Sequence, residues 1–93
     1  MGREKAIILF RLAKSGKVFD LEVPLDITAN EFVLAMNSAY RLNINTSDIK
    51  NCYLSAENPI VLLRGNKTLA EFGVRNGTVI NFTGQESEDG TQI

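Results

Sequence analysis

The chain has no histidine and no tryptophan, one cysteine, two prolines and no long hydrophobic run. Each absence removes a class of protein. Without histidine, neither a Ser-His-Asp nor a Cys-His nucleophile can be assembled, and one thiol with no imidazole cannot hold a zinc ion. The lone Cys52 excludes an internal disulfide and fits a reducing compartment. The longest apolar run, Ala6 to Phe10, is far below the roughly 20 residues needed to cross a bilayer, and the N-terminal stretch lacks a signal-peptide apolar region. A cytoplasmic protein without direct membrane insertion is expected. Basic clusters are also missing. Arg3, Lys5, Arg11, Lys14, Lys17, Arg41, Lys50, Arg64, Lys67 and Arg75 are scattered, which argues against nucleic acid as a partner.

What is present is the composition of an ordinary globule: 93 residues, 44% hydrophobic and 23% charged. That length suits one domain with a two-layer core and leaves little room for an enclosed substrate cavity. The net charge is −1, but Glu86, Glu88 and Asp89 sit in the last ten residues, leaving the remainder slightly basic. Residues 1–83 are therefore read as the domain and 84–93, polar and acidic, as a flexible tail.

Local signals order the chain. Lys5 to Leu12 is a strand by its β-branched and aromatic content, and Lys17 to Val23 alternates, placing Phe19, Leu21 and Val23 on one face. Ala13 to Gly16 joins the two as a hairpin, and Pro24 ends the second strand. Thr28 is an N-cap, Glu31 completes a capping box, and Ile27 with Phe32 occupies the hydrophobic-staple positions, so a helix starts at Ala29. Its core stripe is expected to be Phe32, Ala35, Met36 and Ala39, flanked by Tyr40 and Leu42, with the polar Asn43 to Asp48 stretch stopping it. Asn51 to Ser55 and Ile60 to Leu63 read as strands joined by Ala56 to Pro59. Thr68 and Glu71 repeat the capping-box spacing, and Asn76-Gly77 turns the chain into a last strand, Thr78 to Phe82.

No residue is assigned to catalysis, a cofactor or a metal. Asp20 and Glu22 alternate outward on a strand and read as a solvated face. Cys52 shares a strand face with Leu54 and reads as a buried, inert thiol, while Gly65 and Gly77 serve turns rather than a phosphate cradle. Strand phase says more. If Arg11, Ser55 and Asn81 point to water, so do Ile7, Leu9, Tyr53 and Val79, whereas Ile8, Phe10, Leu12, Ile80 and Phe82 enter the core. On neighbouring strands, Ile7, Leu9, Tyr53 and Val79 would form one apolar contact patch.

Order, lengths and turn positions resemble the ubiquitin β-grasp over Lys5 to Phe82: an α+β fold with a mixed four- to five-stranded sheet on one main helix, plus a short helical turn. Within that superfamily, Val18-Phe-Asp-Leu-Glu-Val-Pro24 and the block Leu69-Ala-Glu-Phe-Gly-Val-Arg-Asn-Gly77 resemble the YukD/EsaB family of bacterial type VII secretion loci. The resemblance implies a cytosolic, non-enzymatic accessory or regulatory component of an export machine. Its partner would be a protein, a cytoplasmic part of the secretion machinery, which would place the chain at the periphery of a membrane complex. It also raises by analogy the weight of the sheet face as the docking surface. A rival reading is a covalent modifier or sulfur carrier of ubiquitin type, matured by tail processing; Thr83-Gly84 offers one glycine where such proteins end in two. Self-association through the same patch or an edge strand is a third reading.

Overall fold

The computed structural model describes residues 4–44, 47 and 53–83. Cys52 and residues 84–93, on which the buried-thiol and tail expectations fall, lie outside them. The elements are β1 (Lys5–Leu12), β2 (Lys17–Pro24), α1 (Ala29–Tyr40), β3 (Leu54–Glu57), β4 (Val61–Leu63) and β5 (Val79–Phe82), and the strands form one mixed sheet in the order β2-β1-β5-β3-β4. β1 and β5 run parallel at its centre, while β1/β2, β3/β4 and β3/β5 are antiparallel. Strand phase follows the sequence pattern. Ile8, Phe10, Leu12, Leu54, Ala56, Leu63, Ile80 and Phe82 enter a core closed by Phe32 and Val33 of α1.

Local chemistry fixes the helix ends. The Thr28 hydroxyl accepts from the Glu31 N–H at 3.1 Å and the Glu31 carboxylate accepts from the Thr28 N–H at 2.8 Å, the two halves of a capping box. The next two amides, Ala29 and Asn30, donate to the carbonyls of Lys67 (2.9 Å) and Gly65 (3.0 Å). All four orphan donors of the N-terminus are thus satisfied inside the fold. At the other end Arg41 adopts φ 54° and its N–H returns to the Asn37 carbonyl. Asn37 also accepts from the Ile44 N–H at 2.9 Å, holding the chain beyond the helix while Leu42 tucks into the core.

Two expectations are corrected. The buried stripe of α1 is Ala29, Phe32 and Val33, with Met36 and Tyr40 half-buried; Ala35 and Ala39 are exposed. Positions 29, 32, 33, 36 and 40 follow the 3.6-residue repeat equally well, and this stripe buries Val33 in place of Ala35, which removes more apolar surface from water. The Tyr40 ring lies 5.2 Å from Phe10 and 4.9 Å from Phe19 between ring centroids. The third strand begins and ends later than expected, because Ala56 and Glu57 pair with Ile80 and Val79 rather than forming a turn. The turn itself is Asn58-Pro59-Ile60, where Asn58 takes φ 63°.

The second capping box also forms: Thr68 and Glu71 exchange side-chain-to-backbone bonds of 3.1 and 2.8 Å. Leu69 to Gly73 is one hydrogen-bonded turn, with Phe72 and Gly73 donating to the Leu69 and Ala70 carbonyls. It stops at Gly73, where φ is +88° and an added Cβ would meet Pro59 Cγ at 3.4 Å.

Candidate protein-interaction face

The face of the sheet away from α1 is ordered by the strand registers. One row crosses all five strands: Val18, Arg11, Asn81, Ser55 and Leu62 are successive register partners. The next row is Asp20, Leu9, Val79 and Glu57, and the row beyond pairs Glu22 with Ile7. Leu9 and Val79 therefore face each other across the central parallel pair, half-buried, and Ile7, 50% exposed, sits two residues along β1 from Leu9. The Asn76-Gly77 turn holds this end together. Asn76 accepts from the Ile7 N–H at 2.8 Å through its side-chain oxygen, and the Gly77 N–H donates to the Ile7 carbonyl at 2.9 Å.

Ile7, Leu9 and Val79 thus come together, but Tyr53 does not join them. Tyr53 lies two residues before Ser55, which faces Asn81, and Val79 lies two residues on the other side of Asn81. Four residue steps along the ladder separate them by about 13 Å. On its three central strands the intervening row is polar, with Arg11, Asn81 and Ser55. Asn81, only 4% exposed, accepts from Arg11 Nε at 2.8 Å and donates to the Glu57 carboxylate at 3.1 Å. Tyr53 is exposed and precedes β3, at the opposite end from the Leu9/Val79 pair.

The rows also reveal a rim that strand alternation alone does not. Asp20 and Glu22 flank Leu9 and Ile7 on the β2 side, and Glu57 flanks Val79 on the β3 side; all three are exposed. Alternation points Asp20 and Glu22 outward, but what they stand beside is a matter of register. Among the described residues, no group of His, Cys, Asp and Glu is arranged to hold a metal ion, and no helix is long and apolar enough to cross a membrane.

A mixed sheet with a central parallel pair, wrapped on one capped helix and closed by a capped turn before the last strand, is a ubiquitin-like β-grasp. The family model described as the WXG100 protein secretion system (Wss) protein YukD matches residues 10–81, and the chain belongs to that family. No curated relative matches. Membership makes this a ubiquitin-like protein associated with a secretion system, and the matched region contains Val79 and Tyr53 but begins after Ile7 and Leu9.

Proposed function

We propose that the chain is a non-enzymatic accessory protein of a WXG100-type secretion system, acting in the cytoplasm by docking non-covalently on a cytoplasmic part of that machinery. The Leu9/Val79 pair carries this reading: two apolar side chains meet on the two central strands, beside the exposed Ile7, on a face that no described element of the chain covers. An apolar group bounded by polar residues on an open sheet face is the usual composition of a contact site. Ile7, Leu9 and Val79 form its centre, and Tyr53 is a separate outlying contact.

The reading is tested by affinity capture of the tagged chain from the native host, run under native and denaturing conditions. Docking predicts a component of the secretion machinery that is recovered natively and lost on denaturation. A ladder of heavier species that survives denaturation would instead establish the covalent modifier.

A further inference from the structure

We propose that the free edge of β2 is a second binding site, which takes an extended segment of a partner protein carrying lysine or arginine at alternate positions. It stands on a different observation from the outer face. β2 ends the strand order, runs for eight residues, and among the described residues pairs with β1 alone. A long strand with one unpaired edge is a template for a further strand.

The side chains select the occupant. On the outer face β2 presents Val18, Asp20 and Glu22, all exposed; on the inner face Phe19 and Leu21 are only half-buried, with Tyr40 packed beside Phe19 at 4.9 Å. An added strand would cover what remains exposed of Phe19 and Leu21 with its inward residues and set its outward residues against two carboxylates.

A second copy of this chain fits poorly in the two registers that bring the acids together. Antiparallel pairing of two β2 strands about Leu21 places Asp20 opposite Glu22, and pairing about Asp20 places Asp20 opposite itself; like charges directly opposed are destabilising. Residues 84–93 carry Glu86, Glu88 and Asp89, again the wrong sign. Basic side chains at alternate positions match both the strand period and the charge. Of the two basic residues on β1, Arg11 is drawn the other way, its Nε bonded to Asn81 on β5, and Lys5 stands opposite Pro24 at the end of β2.

The test uses the full-length chain, isotope-labelled for NMR, and a short capped peptide alternating lysine and valine. A peptide of the same composition with its lysines in one block is the control. The expected result is that the alternating peptide shifts and protects amides along residues 17–24, and that it binds more tightly than the block peptide. Replacing both acids (Asp20→Lys with Glu22→Lys) weakens that binding by about tenfold and transfers preference to a glutamate/valine peptide. The milder pair Asp20→Asn with Glu22→Gln removes the discrimination should the reversed pair fail to fold. Equal binding of the two lysine peptides, shifts centred on Ile7, Leu9 and Val79, absence of shifts on β2, or a free-chain dimer through β2 would each overturn the proposal. None of these outcomes bears on the capture experiment, so the outer-face reading stands or falls separately.

Discussion

Thr28 and Thr68, the caps of the two capping boxes, pair with each other in an antiparallel bridge outside the main strands. The Leu69 N–H donates to Ile27 and the Ala29 N–H to Lys67, both at 2.9 Å, so the start of the helix and the start of the turn before β5 are one hydrogen-bonded unit. Loss of either cap hydroxyl, Thr28→Ala or Thr68→Ala, is expected to cost about 1 kcal/mol in urea unfolding. Because the caps share a backbone bridge, the double variant should depart from the sum by about 0.5 kcal/mol or more, whereas independent caps would add.

Asn81 sets the polarity of the outer face. Nearly buried, it uses its amide oxygen for Arg11 and its amide nitrogen for Glu57. Asn81→Ala should destabilise by about 1–2 kcal/mol, while Arg11→Ala and Glu57→Ala, whose side chains are exposed and can turn to water, should each cost less than about 1 kcal/mol. Equal losses from all three in chemical denaturation would show that the charged ends, not the buried amide, carry the network.

The helix is where the sequence was most ambiguous. Two apolar stripes run along α1, one through Val33 and one through Ala35 and Ala39, and no local pattern states which faces the sheet. Burial of the larger side chain decides. Val33→Ala is expected to cost about 2 kcal/mol, and Ala35→Glu to stay within about 0.5 kcal/mol of the parent. A reversal of that order would return the helix to the stripe expected from sequence.

Strand phase was legible because Arg11, Ser55 and Asn81 each mark which residues of their strands face outward, and both capping boxes were legible because Thr28/Glu31 and Thr68/Glu71 are complete in four residues. What stayed hidden depends on pairing between distant segments. The start of β3, the distance of Tyr53 from Val79, and the carboxylates beside Leu9 and Ile7 all follow from the Ser55–Asn81 and Leu9–Asp20 registers. Alternation within one strand gives the side of the sheet but not the row, so a patch assembled from phase alone merges residues that register keeps apart.

That separation divides the four candidate contact residues into two groups with opposite expected behaviour. Ile7→Asp is the cleanest probe: the side chain is half exposed, so the fold tolerates the charge, while the carboxylate stands in the apolar centre of the face. Leu9→Asp and Val79→Asp place it deeper in the same centre, and their spectra must first show an intact fold, since both side chains are half-buried. All three should abolish recovery of the secretion-machinery partner from the native host, because the contact centre of an interface carries most of its binding energy. Tyr53→Asp, about 13 Å along the ladder and across the Arg11–Asn81–Ser55 row, should leave most of the recovery in place. Loss with Tyr53→Asp but not with Ile7→Asp would move the contact to the Tyr53 end of the sheet; undiminished recovery from all four would remove the outer face from consideration.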